Sequence, residues 1–334
     1  MHRPALRPPA PRPGLSGLPL RRHRAWHARL AAAVLVLAAL PTAHAGPLRD
    51  ALAQRRAAQG KPALDDDADS AHSASVPAGA RVQRNLAYGD DPQQRMDVYL
   101  PASNPVRGVV LMVHGGGWTR GDKAMGRVVD HKAARWLPQG LALVSINYRM
   151  DRQAPRVLDQ ADDAARALAA VQRMAPSWGA APGQVLLMGH SAGAHLVMLL
   201  AADPAIARAQ GAQPWAGTVS LDSAALDVPA LMAQRHLPLY DTAFGRDRTL
   251  WTQASPQQRL GNGPLAAAAL LVCSSRRADA CPQASAFAAA AGPAVQVLPQ
   301  DRSHGAINAD LGQPGAYTDA VEAFMRQVGL LPPQ

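Results

Sequence analysis

The stretch Leu186-Leu187-Met188-Gly189-His190-Ser191-Ala192-Gly193-Ala194-His195 joins an apolar run to a segment with helical character. The run Gln184–Met188 predicts a buried strand, and Ala194–Ala202 predicts a helix. A serine between them lies on a sharp strand-to-helix turn, where its hydroxyl is presented at the edge of the sheet. The flanking glycines allow the tight turn and the close packing of helix on strand. Ser191 is therefore the predicted nucleophile.

Segments with strand character alternate with segments of helical period along most of the chain. The predicted strands are Val82–Tyr88, Gln94–Leu100, Gly108–Val113, Leu141–Asn147, Gln184–Met188, Ala216–Leu221, Ala267–Val272 and Ala294–Leu298. The predicted helices are Met125–Trp136, Val157–Met174, Ala194–Ala202, Gln283–Ala291 and Ala316–Val328. Such alternation predicts an α/β fold with a mostly parallel eight-stranded sheet flanked by helices. Residues 222–263 fit the alternation least well and predict a small excursion over the carboxyl edge of the sheet, a minimal cap.

The first 45 residues differ in composition from the rest. They hold seven arginines and no acidic residue, followed by the apolar run Leu30–Leu40 and the small-residue sequence Ala43-His44-Ala45. This pattern predicts a secretory signal peptide, residues 1–45, with cleavage near Ala45. The apolar run is shorter than the roughly 20 residues that span a bilayer, so we expect a periplasmic or secreted protein without stable membrane insertion. Residues 46–80 are polar and predict a mobile N-terminal extension, and residues 81–331 form the predicted catalytic domain.

The basic charge of the chain comes mostly from this N-terminal segment. The formal net charge is +10, from 34 Lys and Arg against 24 Asp and Glu. Without the seven N-terminal arginines, 27 basic residues face 24 acidic ones, which leaves about +3. A near-balanced domain gives no support for a nucleic-acid partner.

A second motif, His114-Gly115-Gly116-Gly117-Trp118, directly follows the predicted strand Gly108–Val113. Attack of a serine on a carbonyl develops negative charge on the carbonyl oxygen, which preorganised N–H donors must stabilise. A glycine run lets the backbone turn its amides toward that oxygen, and loops of this type are known partners of the strand–serine–helix turn. The predicted donors are the backbone N–H groups of Gly116, Gly117 and Ala192.

The base that activates Ser191 is predicted to be His304. It lies in Arg302-Ser303-His304-Gly305, in the loop after the last predicted strand, and it is the only histidine C-terminal to His236. Triads of this kind follow the chain order serine, acid, histidine, which His304 satisfies.

The acid has three candidates in the sequence. Asp279 is favoured because it follows the strand that precedes the one leading to His304, whereas Asp222 and Asp301 are the alternatives. Cys273 and Cys281 bracket Asp279, and an exported protein favours a disulfide between them. Such a bridge would fix the loop that carries Asp279. These two cysteines lack nearby paired histidines, so they do not predict a zinc site.

Taken together, these motifs make the chain from about residue 81 to 328 resemble the α/β-hydrolase superfamily. Within it, the chain is similar to the bacterial esterase/lipase branch that includes kynurenine-formamidase-like and feruloyl-esterase-like enzymes. The likeness rests on six segments: His114–Trp118, Asn147-Tyr148-Arg149, the helix with Asp159 and Asp163, Gly189–Gly193, Ala254-Ser255-Pro256 and Ser303-His304-Gly305. The acid loop departs from the usual pattern, since Ser274–Cys281 replaces a Gly-Asp-x-Asp sequence.

The resemblance implies an α/β-hydrolase fold and a serine carboxylic-ester hydrolase with a triad of Ser191, Asp279 and His304, which the predicted signal peptide makes an exported enzyme. It implies no metal and no organic cofactor, and a substrate that is a small-molecule or polysaccharide-linked ester. An arylformamidase or amidase using the same triad is the first alternative. A non-catalytic binding protein on a hydrolase scaffold is the second.

Overall fold

A computed structural model of the protein describes residues 74–102, 105–150, 157–262 and 265–333. The predicted signal peptide and most of the predicted N-terminal extension lie outside the described residues.

Eight strands form one sheet in the order β1-β2-β4-β3-β5-β6-β7-β8. The strands are β1 Arg81–Ala87, β2 Arg95–Leu100, β3 Gly108–Val113, β4 Leu141–Ile146, β5 Val185–His190, β6 Gly217–Leu221, β7 Ala269–Ser274 and β8 Val295–Gln300. Strand β2 runs antiparallel to both of its neighbours, and the remaining pairs are parallel. The predicted eight-stranded, mostly parallel sheet is confirmed.

Helices cover the sheet and fill the excursion after β6. The helices of the main layers are α1 Gly126–Trp136, α2 Val157–Trp178, α3 Ala192–Ala202, α4 Pro204–Ala209, α9 Ala280–Ala291, α10 His304–Ala309 and α11 Ala316–Gln327. The excursion holds four short helices, α5 Val228–Met232, α6 Pro238–Phe244, α7 Arg248–Gln253 and α8 Pro256–Arg259, and the 3₁₀ turn Leu260–Asn262. The segment that broke the strand–helix alternation is therefore a small helical cap.

The central strand β3 explains why helices lie on both faces of the sheet. All six of its residues are buried. Val109, Leu111 and Val113 belong to one core cluster, whereas Val110 and Met112 belong to another. Alternate side chains of a strand point to opposite faces, so an uninterrupted apolar strand needs a cover on each side. Buried residues of α2 and α3 share the first cluster, and those of α1 and α11 share the second.

Strands β5 and β7 end two residues later than local sequence character predicts, and both C-terminal extensions lie at the edge that carries the site. Strand β5 continues to His190 because Gly189 and His190 pair with Ser220 and Leu221 of β6. Strand β7 likewise continues to Ser274, which pairs with Gln300 of β8. These extensions result from hydrogen bonds to neighbouring strands. The partner strands are distant in sequence, so a local stretch of sequence does not predict the extensions.

Candidate active site

Ser191 occupies the turn between β5 and α3 with a backbone that few residues adopt. Its φ and ψ are 55° and −116°, a strained combination for a residue with a Cβ. A Cβ on Gly189 would lie 2.3 Å from the carbonyl oxygen of Gly193, and a Cβ on Gly193 would lie 2.2 Å from that of Val113. Only glycine fits at either position. The pentapeptide thus lets α3 pack tightly against the sheet and places Ser191 at the carboxyl edge of the sheet.

His304 lies at the first turn of α10 and connects Ser191 to a carboxylate. Its Nε2 is 2.9 Å from Ser191 Oγ, and its Nδ1 is 2.5 Å from Asp222 Oδ2. A buried carboxylate accepts from Nδ1–H, so the lone pair of Nε2 faces the serine hydroxyl in this hydrogen-bonding pattern. The side chains of His304 and Asp222 are 3% and 0% exposed. The structure therefore brings together the predicted nucleophile and the predicted base.

The carboxylate beside His304 corrects the expectation from sequence. Asp279, which the chain order favoured, is 43% exposed and pairs with Arg277 at 3.3 Å. Asp301, the third candidate, is 83% exposed and pairs with Arg276. Asp222 follows β6 directly, and its buried carboxylate is the one that reaches His304. Its place directly after a predicted strand made Asp222 a candidate in the sequence, but Asp279 also follows a strand, so this signal did not distinguish the two.

Asp222 is held as an ion by the groups around it. Burial by itself would raise the pKa of its carboxyl, but the hydrogen bond to His304 and the charge of Arg277 outweigh burial and lower that pKa to about 2. The backbone N–H of Ser274 donates to Asp222 Oδ1 at 2.7 Å. Near neutral pH the carboxylate is therefore charged and fixed at both oxygens.

The glycine loop after β3 passes directly against Ser191. A Cβ on Gly115 would lie 2.9 Å from the Cβ of Ser191. Gly116 and Gly117 have φ values of 118° and 59°, and the carbonyl of Gly116 accepts from the N–H groups of Thr119 and Arg120 in a tight turn. Ala192, the third predicted donor, is the first residue of α3, where backbone N–H groups have no partner within the helix. All three predicted donors lie in segments adjacent to Ser191.

The motif Asn147-Tyr148-Arg149, which follows β4, packs against this glycine loop. Tyr148 donates from its hydroxyl to the carbonyl of His114 at 3.2 Å, and its ring stacks on the His114 ring. Asn147 accepts from the N–H of Lys123 at 2.6 Å, just beyond the loop. Arg149 binds the fully buried Asp163 of α2 at 2.7 Å. The motif therefore connects the glycine loop to α2 and the sheet.

His195 also supports the loop, a role that sequence reasoning did not assign. Trp118 Nε1 donates to His195 Nδ1 at 3.3 Å, and His195 Nε2 is 2.7 Å from the carbonyl oxygen of Ala254. Burial lowers the pKa of His195 to about 4, so it is neutral. The ring connects α3 to the glycine loop and to the end of the helical cap.

A pocket of about 240 Å³, including its open mouth, lies beside Ser191. Its wall is mostly apolar or small, and one cation, Arg277, enters it from the loop after β7. The residues that line it are Trp118, Ser191, Asp222, Ser223, Ala224, Ala225, Leu239, Tyr240 and Arg277. Arg277 was not expected from sequence, since an arginine in a polar loop gives no signal of proximity to a triad.

The two cysteines are joined as expected. Cys273 and Cys281 form a disulfide that spans the loop between β7 and α9. The residues that this loop presents to the site are Ser274 and Arg277. Within the described ranges, no cluster of three or more His, Cys, Asp or Glu side chains is arranged to hold a metal ion.

Known proteins share both the sequence of the central region and the architecture. The BD-FAE family model matches residues 96–214. The isoprenylcysteine alpha-carbonyl methylesterase of Arabidopsis thaliana is 34% identical over 117 residues, 35% of this chain and 26% of the relative. Esterase B of Lactobacillus rhamnosis aligns with a TM-score of 0.63 at 20% identity, over 84% of this chain and 94% of that one.

A third similarity comes from a chemically modified enzyme. Esterase 2 of Thermogutta terrifontis, in a form phosphoramylated by tabun, aligns with a TM-score of 0.58 and 21% identity, over 78% of this chain and 98% of that one. The chain therefore has the α/β-hydrolase fold, and its central region is similar in sequence to esterases. The chain spans about a quarter to a third of the length of the curated relatives it matches. Among its described helices, none combines the length and apolarity needed to cross a bilayer.

Proposed function

We propose that this α/β-hydrolase is a serine carboxylic-ester hydrolase that works through Ser191, His304 and Asp222 and forms an acyl-enzyme. One observation carries the proposal: Ser191 Oγ lies 2.9 Å from His304 Nε2, and His304 Nδ1 lies 2.5 Å from Asp222 Oδ2. This is the order of nucleophile, base and orienting acid that activates a serine. The sequence similarity to esterases and the glycine loop beside Ser191 support the same reaction.

In the proposed reaction, His304 accepts the proton of Ser191 as Oγ attacks the ester carbonyl. The oxyanion that forms accepts hydrogen bonds from the N–H groups of Gly116, Gly117 and Ala192. His304 then protonates the leaving alcohol and afterwards activates the water that releases the acid. Asp222 keeps the imidazole in the required tautomer and stabilises the imidazolium. Every step uses side chains and amides of this chain.

The pocket beside Ser191 supports a short acyl group. Trp118, Leu239 and Tyr240 supply apolar wall, and the small side chains of Ala224 and Ala225 leave room beside Ser191. We therefore propose short or medium acyl esters, with the alcohol side either a small molecule or a polysaccharide.

We further propose that the protein is exported to an oxidising compartment. The basic, apolar and small-residue pattern of residues 1–45 supports export, and so does the disulfide between Cys273 and Cys281, because disulfides persist in the periplasm and outside the cell. Fractionation of the producing cell followed by N-terminal sequencing tests this proposal. Cleavage near Ala45 is expected, and an uncleaved cytosolic chain would contradict it.

Covalent labelling tests the reaction most directly. A fluorophosphonate probe should label the wild-type protein at Ser191, as mapped by peptide mass spectrometry, and should not label Ser191→Ala. A p-nitrophenyl ester series of increasing acyl length, compared with feruloyl esters, acetylated sugars and N-formylkynurenine, then identifies the substrate. An unlabelled, inactive wild type would point to a binding protein, and a preference for N-formylkynurenine would point to an arylformamidase.

A further inference from the structure

Arg277 places a guanidinium group directly on the carboxylate of the proposed triad. Its Nη1 lies 2.9 Å from Asp222 Oδ2 and 3.3 Å from the Asp222 carbonyl oxygen. Its Nη2 lies 3.3 Å from Asp279 Oδ1. The side chain is only 13% exposed. Arg277 is thus a largely buried cation held between two carboxylates, one inside the site and one at its rim.

Arg277 and His304 donate to the same oxygen. His304 Nδ1 is 2.5 Å from Asp222 Oδ2, and Arg277 Nη1 lies 3.1 Å from that ring nitrogen. A carboxylate favours the protonated imidazole, whereas a permanent cation at this distance disfavours it. Asp222 stabilises the doubly protonated imidazolium form of His304, and the guanidinium therefore offsets part of that stabilisation. It also fixes the carboxylate in the orientation that His304 needs.

The loop that carries Arg277 is built to hold it there. The disulfide between Cys273 and Cys281 closes the loop at its base. Within it, the N–H of Ser274 binds the other oxygen of Asp222 at 2.7 Å, and the Ser274 hydroxyl donates to the carbonyl of Arg302 at 2.6 Å. The loop thus contacts Asp222 at both oxygens and the segment that leads to His304.

Other titratable groups near His304 differ from Arg277 in position. The His190 ring packs on the His304 ring with centroids 4.6 Å apart, and the Tyr240 hydroxyl faces Arg277 from the cap. Lys132 and Tyr317 bind backbone carbonyls farther along α10, from α1 and α11. The charged and titratable groups on the surrounding elements include Asp222, Arg277, Asp279, His190, Tyr240, Arg302, Lys132, Tyr317, Asp310, His114 and Arg127. Among these groups, Arg277 is a cation in direct contact with the His304 ring, with its Nη1 3.1 Å from Nδ1.

Resting on the proposed ester hydrolysis, we propose that Arg277 is a positioning residue that shares Asp222 Oδ2 with His304 and opposes protonation of the imidazole. Arg277 thereby keeps His304 available as a base in mildly acidic solution. In the family that the sequence resembles, the loop after β7 carries the acid. Here that loop supplies the cation Arg277, and the acid, Asp222, follows β6.

The pH dependence of kcat/KM tests this assignment, because its acid limb reports the protonation of the base in the free enzyme. In Arg277→Gln the limb should move to higher pH by about one unit or more. At a pH below the limb, kcat/KM of the variant relative to wild type should therefore be roughly tenfold lower than on the plateau. Arg276→Gln is the matched control. It removes the same charge from the neighbouring position, where the side chain is 56% exposed and pairs with Asp301. Its limb should coincide with that of the wild type.

Arg277→Lys keeps the charge but offers a single ammonium that does not reach Asp222 and Asp279 together. It should give a smaller shift in the same direction, and it serves as the test if Arg277→Gln does not fold by circular dichroism. An unshifted limb in the folded variants overturns the inference while leaving the ester hydrolase proposal intact. A wild type that neither turns over esters nor reacts with the fluorophosphonate overturns both.

Discussion

Asp222 Oδ2 and His304 Nδ1 lie 2.5 Å apart, which makes the carboxylate after β6, and not one after β7, the partner of the base. Strands β6 and β7 are neighbours in the sheet, so the loops that follow them emerge side by side. The β7 loop approaches the same place, but it directs Ser274 and Arg277 onto Asp222 and leaves Asp279 at the rim. One carboxylate is therefore buried and fixed, and the other is half-exposed.

Replacing each carboxylate in turn should separate these two residues. Asp222→Asn should lower kcat by about 10⁴-fold, because the amide no longer holds the required tautomer of His304 or stabilises its imidazolium. Asp279→Asn, the matched control, should stay within a few-fold of wild type. Steady-state kinetics on a p-nitrophenyl ester measures both. A nearly inactive Asp279→Asn with an active Asp222→Asn would reverse the assignment of the acid.

The glycine loop should respond differently at its two adjacent positions. At Gly116 a Cβ would lie 2.1 Å from the carbonyl oxygen of Arg120, whereas at Gly117 the nearest atom is 3.9 Å away, in Leu239. Gly116→Ala should displace the loop and lower kcat by about 10²–10³-fold, the usual effect of losing an oxyanion donor. Gly117→Ala should mainly cost about 1–2 kcal/mol of stability for its left-handed backbone. Equal kinetic losses in the two variants would contradict this distinction.

Lys132 should make stability depend on pH. Its ammonium is buried between α1 and α10 and donates to the carbonyl of Asn308 at 2.6 Å, and burial lowers its pKa to about 7. In the unfolded chain the pKa is about 10.4, so between these values the folded state binds fewer protons than the unfolded state. The free energy of unfolding should therefore rise with pH across this window, by up to about 5 kcal/mol.

The matched variant is Lys132→Met, which keeps the length of the side chain and removes the titrating group. Urea unfolding of both proteins at several pH values between 6 and 10 measures the difference. The wild type should gain stability relative to Lys132→Met as the pH rises. Curves that stay parallel over this range would show that the buried lysine does not titrate in the window.

Removing the disulfide should affect both stability and the site. The double variant Cys273→Ala/Cys281→Ala frees a loop of about nine residues, which should lower the free energy of unfolding by about 2–3 kcal/mol through the entropy of the unfolded chain. Because the loop positions Arg277, the acid limb of kcat/KM should also move to higher pH. Treatment of wild type with a reducing agent should reproduce both effects and leave the double variant unchanged. A fully reduced wild type with unaltered stability and pH profile would contradict the role of the bridge.

The sequence alone determined the parts of this protein that depend on local pattern. Strand β3 was predicted with its observed bounds, because an uninterrupted apolar run of six residues requires burial on both faces. Ser191 and the glycine loop were predicted because their backbone conformations require glycine at fixed positions. His304 was found by its place after the last strand. For the strand, the serine turn and the glycine loop, a short segment contains the constraint that determines the structure, whereas His304 was selected by chain order.

Only the tertiary structure decided which carboxylate meets His304 and what Arg277 does. Asp222 and Asp279 both follow strands that end at the same edge, so their places in the chain do not distinguish them. The choice depends on how the disulfide-closed loop folds against the end of β6, through the hydrogen bond from Ser274 and the ion pair from Arg277. These contacts join residues more than 50 positions apart, and their geometry is fixed only when the sheet has assembled.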